Sequence, residues 1–209
     1  MNYRLQDIMK MIIPGLYLMA MIMVLQISRS DFVIDISKLK DLSAIVVLLI
    51  PFVGFVVGYF VECITAGLEH GWYALGFRRP SKNILNGSSK YIVADIDKIK
   101  NKHHISSCNI TNLKANEVLQ AAKQRILNKE LVEAYLNNVT LARNIFGAQL
   151  VFTVYFAVSL DSFFKEAMWY VSLGVSIAFL LYWIHHNHVH VKYILAEYAK
   201  TLSNQNKKN

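Results

Sequence analysis

The sequence predicts an all-α integral membrane protein with four transmembrane helices and a small, mostly helical cytoplasmic segment between the second and third. Three observations carry this expectation. The chain is 55% hydrophobic and only 17% charged, outside the usual balance of a soluble domain. The excess lies in four apolar runs, Met11–Ile27, Leu42–Val61, Ile145–Leu160 and Ala167–Ile184. The Lys and Arg residues are unevenly shared among the segments between those runs.

The first run, Met11–Ile27, is short for a bilayer core of roughly 30 Å. It can borrow from Leu5–Lys10, where Leu5, Ile8 and Met9 lie at helical spacing. That lead-in either extends the helix or lies on the inner surface. Pro14-Gly15 falls near the start of the helix, where a proline costs little. A cleaved signal peptide fits less well than a retained anchor, because the run exceeds the usual length and Gln26-Ile27-Ser28 offers no small-x-small cleavage site. Arg29–Asp41 is an outer loop whose Phe32, Val33, Ile34 and Ile36 suit the interface.

Leu42–Val61 carries no charge over 20 residues. Its helical pattern continues to Phe77, about 54 Å of helix at 1.5 Å per residue, so the second helix should project beyond the lipid. Pro51 permits a kink. Gly54, Gly58, Glu62, Thr65 and Glu69 fall within one arc of about 80°. The Gly54-x3-Gly58 pair allows close backbone approach, read here as a crossing within the chain rather than between copies. Gly67 and Gly71 repeat the spacing on the opposite face, as a second seat or as weak helix positions. Residues 1–77 thus form an N-terminal helix pair.

Residues 78–144 are the cytoplasmic segment. Arg78-Arg79-Pro80 closes the second helix, and Asn86-Gly87-Ser88-Ser89 reads as a turn. Tyr91–Ile99 suits a short strand, Asn101–Thr111 a loop and Asn116–Leu127 an amphipathic helix. Lys129–Asn144 predicts a helix that runs directly into the third span. The segment is too small to be expected as an independent domain, and should pack on the projecting part of helix 2. Residues 145–190 form a C-terminal helix pair, with spans at about 145–160 and 167–184. A buried soluble helix is the alternative reading of Ile145–Leu160. Residues 191–209 form a cytoplasmic tail, disordered over Ser203–Asn209.

The charge distribution sets the orientation. With four spans, residues 1–10, the segment 62–143 and the tail share one side and hold 18 Lys/Arg, whereas the two short loops hold 4. The positive-inside rule places the basic side, with both termini, in the cytoplasm of a cell inner membrane.

Candidate chemistry is sparse. Glu62, at the end of the uncharged run, and Glu69 are acids of the kind that line a cavity or pair with a cation; Arg143 is the expected partner. Their bland reading is a structural ion pair. Gln149 can hydrogen-bond between helices, and Ser172 and Ser176 share a face of helix 4. His185, His186, His188 and His190 cluster where span 4 ends, and His186 and His190 lie at i, i+4, where they could share a metal. His-Glu-x-x-His is absent, and Glu197 is roughly 10 Å further along the axis. An interfacial histidine cluster, able to sense pH, is the alternative. His103-His104 with Cys108 is a weaker ligand set. Lys98, Lys100 and Lys102 would share one face of an extended chain and suit lipid headgroups or RNA phosphates, or simply a solvated face. Two cysteines, Cys63 and Cys108, imply no disulfide framework. Walker, dinucleotide-glycine, nucleophile-elbow and Cys-x-x-Cys patterns are all missing from the sequence, as is the Arg-x4–6-His signature of small RNA-cleaving helical domains. Three Asn-x-Ser/Thr sites, at Asn86, Asn109 and Asn138, would matter only in a luminal segment.

Arg4-Leu5-Gln6-Asp7 through Pro14-Gly15-Leu16-Tyr17, and Gly58-Tyr59-Phe60-Val61-Glu62, resemble small membrane proteins of bacterial defence loci. Span number and order are similar to the four-span accessory proteins encoded beside the RNA-guided RNA nuclease of type VI-B CRISPR systems. The resemblance implies modulation of RNA interference, or a defence role acting on the membrane, and assigns no functional residue. The expected function is a non-enzymatic membrane accessory or effector protein, without a required cofactor. Its expected partners are the bilayer, further copies of the chain and a cytoplasmic protein or ribonucleoprotein. A small channel or transport subunit using Glu62, and a metal-dependent membrane enzyme using the histidines, are the alternatives.

Overall fold

A computed structural model describes residues 5–29, 43–74, 79–105, 110–126, 129–158 and 164–206. These form seven α-helices: α1 (Leu5–Arg29), α2 (Ser43–Ala74), α3 (Pro80–Leu85), α4 (Ile96–Lys102), α5 (Asn112–Arg125), α6 (Lys129–Val158) and α7 (Phe164–Asn206). Four are long and apolar enough to cross a membrane, over Ile8–Ile27, Leu49–Tyr73, Val132–Val158 and Met168–Asn204. Residues 30–42, which hold most of the expected outer loop Arg29–Asp41, the link 75–78, Cys108 and Asn109 lie outside the described residues.

The chain divides into two compact units. The first comprises residues up to Glu69 and Thr140–Trp183, and so takes α1, most of α2, the second part of α6 and the first part of α7. The lead-in Leu5–Lys10 is continuous with α1, one of its two expected forms. Leu18, Leu25, Val61, Ala148, Phe152 and Phe156 make the buried cluster, while Phe52, Phe60, Val158, Tyr170 and Val171 are largely exposed. Apolar side chains displayed this densely outside a helical bundle are what lipid-facing surfaces require.

Glycine sets the approach of α1 to α2. A Cβ on Gly15 would sit 1.8 Å from the carbonyl oxygen of Gly54, and one on Gly58 would sit 1.8 Å from that of Met11. The Gly54/Gly58 crossing is therefore made within the chain, with Gly15 as its counterpart. A third close approach joins α2 and α6, where a Cβ on Gly147 would meet Thr65 Cγ2 at 1.8 Å. Gly67 and Gly71 meet nothing within 4 Å among the described residues.

The second unit comprises His70–Val139 and Ile184–Asn209. Its core joins Leu85 of α3, Ile99 of α4, Val118 and Ala122 of α5, and Ile194, Leu195 and Tyr198 of α7. Pro80 opens α3, where its missing N–H is no loss. The turn at Asn86-Gly87 is present, with Gly87 at φ 71° as glycine permits. The Asn86 side chain accepts from the Ile110 backbone N–H at 3.0 Å, which ties the entry of α5 to the end of α3. Thr111 caps α5 by accepting from Lys114 N–H at 3.2 Å.

Three expectations are corrected in this unit. Tyr91–Ile99 is not a strand: residues 91–95 are irregular and α4 begins at Ile96. A strand register that buried Tyr91, Val93 and Ile99 on one face would bury Asp95 and Asp97 with them. In the helix, Ile96 and Ile99 share a face at i, i+3, and Ile99 is fully buried. The sharp entry falls on Asp95 at φ 60°, a conformation Asp tolerates better than most residues. Residues beyond 190 are not a trailing tail either. α7 is helical to Asn206, and Val191, Ile194, Leu195, Tyr198, Ala199 and Leu202 are buried along it. The stretch from Ser203, expected to be disordered, is helical as far as Asn206. The core of the central segment accordingly includes α7.

Candidate functional site

The first unit gathers its polar side chains into two layers. In the first, α2 presents Glu62, Thr65 and Glu69 at i, i+3 and i+7, and α6 presents Arg143, Asn144 and Gly147. Arg143 Nη1 donates to Glu69 Oε2 at 2.8 Å, and Nη2 to Glu62 Oε1 at 3.4 Å. The three side chains are 15%, 26% and 23% exposed, so the ions are largely withdrawn from water and one positive charge faces two negative ones. Glu62 Oε2 and Arg143 Nε are buried without a hydrogen-bond partner among the described residues. The structure thus brings together the three ionic residues singled out in the sequence. Thr65 donates to Asn144 Oδ1 at 3.2 Å, or back to the Val61 carbonyl at 2.9 Å, and Asn144 donates to the Lys10 carbonyl at 3.3 Å. Asn144 is fully buried and links α1, α2 and α6. The sequence did not single it out.

The second layer lies deeper in the apolar stretches. Tyr17 of α1 hydrogen-bonds Gln149 Oε1. Gln149 Nε2 reaches Ser172 Oγ at 3.1 Å and the Ser172 carbonyl at 3.2 Å. Thr153 Oγ1 lies 2.7 Å from Ser172 Oγ and 2.9 Å from Ser176 Oγ. Gln149, Thr153, Ser172 and Ser176 are all buried and satisfy one another, the usual way polar groups join helices in an apolar medium. Gln149, Ser172 and Ser176 were anticipated. Tyr17 and Thr153 were not, because a single tyrosine or threonine inside an apolar run has no distinguishing spacing.

Among the described residues of the second unit, the histidines do not assemble a metal centre. Among the described residues no three His, Cys, Asp or Glu side chains are placed to hold an ion. His186 and His190 do share a face of α7. His190 is 3% exposed, and neither ring nitrogen has a partner among the described residues. Burial, and then the nearby Lys123 ammonium, push His190 down to about 4. A lysine rather than a carboxylate beside the ring works against metal capture, which needs three or four donors. Glu197 is instead engaged by Lys200 Nζ at 2.6 Å. His188 Nδ1 bonds the Ile184 carbonyl at 2.8 Å. His103, with Nε2 3.0 Å from the Tyr198 hydroxyl, is lowered by burial and then by Lys114, Arg125 and Lys102. Its proposed co-ligand, Cys108, is outside the described residues.

Lys98, Lys100 and Lys102 do not line one face. On α4, Lys98 and Lys102 are one turn apart and Lys100 points away from both. Lys98 is tied to Asp95 at 3.2 Å and to Ser203 Oγ at 2.9 Å. Positive charge is nonetheless concentrated here: the second unit carries fifteen Lys/Arg against six Asp/Glu.

In comparisons with protein-family models, with curated proteins and with solved structures, nothing matches this chain.

Proposed function

We propose that this chain is a non-enzymatic, four-span inner-membrane protein with both termini in the cytoplasm, acting as an accessory or effector on a cytoplasmic partner or on membrane integrity. One observation carries the reading: α7 supplies both the fourth apolar stretch and the centre of the second unit's core. A membrane anchor needs no second folded unit with its own core and a net charge of +9. A protein that meets a partner, or the membrane surface, uses one. The defence setting implied by the resemblance belongs to this proposal.

Induced expression of the full chain tests it. Wild type should stay in membranes through alkaline carbonate and should depolarise the cell or lower phage plating. Leu195→Asp, which breaks the second core, should abolish that effect while the protein stays in the membrane fraction. Carbonate release of wild type, or an unimpaired Leu195→Asp effect, would refute the reading.

A second reading, a small oligomeric channel or transport subunit, is favoured by Glu62 Oε2, a carboxylate oxygen buried without a partner among the described residues. Acids so placed serve passing cations. Cation flux into vesicles that is lost in a folded Glu62→Gln protein supports it; flux independent of Glu62 removes it.

A further inference from the structure

Two cation–tyrosine pairs meet α7 at one level, immediately past Ile184, where the uncharged run Ala167–Ile184 ends. Lys90 Nζ lies 5.5 Å from the centre of the Tyr91 ring. Tyr91 in turn hydrogen-bonds His185 Nδ1 and stacks on His188 at 5.4 Å between ring centres. Arg79 Cζ lies 5.2 Å from the centre of the Tyr73 ring, and the Tyr73 hydroxyl accepts from Asn187 Nδ2 at 3.0 Å. His185, Asn187 and His188 span only about 4.5 Å of helix rise, and Asn187 is about 200° around the axis from His185. The two pairs therefore flank the same turn of α7 from different sides.

Neither cation has a carboxylate partner among the described residues. Lys90 is exposed, and Ile92 beside it is 78% exposed. Ring faces that hold a cation at a fixed level, hydroxyls turned to a polar turn, and an aliphatic side chain left bare next to them are the chemistry of a bilayer interface. A nucleic-acid platform would need free ring faces on which bases can stack. Here the face of Tyr91 is already occupied by His188 and Lys90.

We propose that Arg79 and Lys90 form a collar that binds the phosphates of anionic phospholipid headgroups, with Ile92 entering the acyl boundary beside them. This rests on the four-span membrane reading. The tyrosines hold both cations in place beforehand, which reduces the ordering cost of binding.

The test uses the full chain, purified in detergent and reconstituted in nanodiscs of mixed phosphatidylcholine and phosphatidylglycerol. Native mass spectrometry then counts the lipids retained. The preference for phosphatidylglycerol should fall about fivefold for each cation removed, and about 25-fold in Arg79→Gln/Lys90→Gln. Lys114→Gln/Lys129→Gln, elsewhere on the same unit, should leave it unchanged. Ile92→Ser should weaken retention of both lipids alike. An unchanged preference in Arg79→Gln/Lys90→Gln overturns the proposal, as does an equal loss in the control. So does loss of single-stranded RNA binding with the lipid preference intact. Should that double variant fail to fold, raising the salt on wild type must erase the preference; insensitivity to salt overturns the proposal. Release of wild type from membranes by carbonate would instead strike the membrane reading itself.

Discussion

Arg143 and Glu69, 74 positions apart in the chain, meet at 2.8 Å with their side chains largely withdrawn from water. Glu62 completes the group on the same guanidinium. Removing one partner of a withdrawn ion group leaves the others uncompensated, which costs more than the group contributes when whole. Arg143→Ala should therefore lower unfolding free energy by about 2–3 kcal/mol. The triple variant Arg143→Met/Glu62→Gln/Glu69→Gln should recover most of that loss. Chemical unfolding in detergent measures both, and an Arg143→Ala protein as stable as wild type would remove the ionic account.

Gly58 and Gly67 lie on one helix and should respond oppositely to the same change. A methyl on Gly58 would collide with the Met11 backbone, whereas one on Gly67 meets nothing within 4 Å among the described residues. Gly58→Ala should push α1 away and reduce the yield of monodisperse protein severalfold. Gly67→Ala should be neutral or stabilise by roughly 0.5–1 kcal/mol, from helix propensity. Size-exclusion profiles and melting curves of the two variants separate these outcomes.

Gln149 joins α1 and α7 through Tyr17 and Ser172. Gln149→Leu removes both links but leaves Thr153, Ser172 and Ser176 bonded among themselves. The expected loss is about 0.6–1.7 kcal/mol, the range of polar contacts between membrane helices. Tyr17→Phe should cost less. A Gln149→Leu protein destabilised no more than Tyr17→Phe would show that the Ser172 link contributes nothing.

His190 makes the second unit sensitive to acid. At pH 7.5 its ring is neutral folded or unfolded and contributes no pH dependence. Between 6.5, the ordinary value, and about 4 in the fold, the unfolded chain takes up a proton that the folded chain refuses. Stability therefore falls with pH across that window, by about 1 kcal/mol at pH 5.5 and about 3 kcal/mol in full. The difference between wild type and His190→Leu, followed by unfolding from pH 7.5 to 5, should show this slope. Parallel curves would mean that the ring is protonated in place.

The legible parts of the fold were those that repeat. Apolar runs long enough to span, the Gly54/Gly58 spacing and the acids one and three turns beyond it all leave a period on a single helix. Arg143 could be paired with Glu62 beforehand because a charge at the mouth of an apolar run has few acceptable partners. The counterparts were hidden. Gly15 and Gly147 are single glycines whose role exists only once a second backbone passes them. Tyr91–Ile99 reads as a strand because Val93 and Ile99 fit a period of two, although the same face would also carry Asp95 and Asp97. Beyond His190, Val191, Ile194, Leu195, Tyr198 and Leu202 form an ordinary amphipathic helix stripe. Its position after the last apolar run reads as a tail, because its partners lie some seventy or more positions earlier.

That distance has a consequence for synthesis. Leu85, Ile99 and Val118 leave the ribosome well before Ile194, Leu195 and Tyr198, and two apolar helices pass between them. At about 5–20 residues per second the interval is several seconds. Throughout it, half of the second core is exposed without its counterpart, and depends on being kept from aggregating. A nonsense change shortly after Ile184 would spare all four apolar runs of the sequence and still leave the second unit permanently half-made.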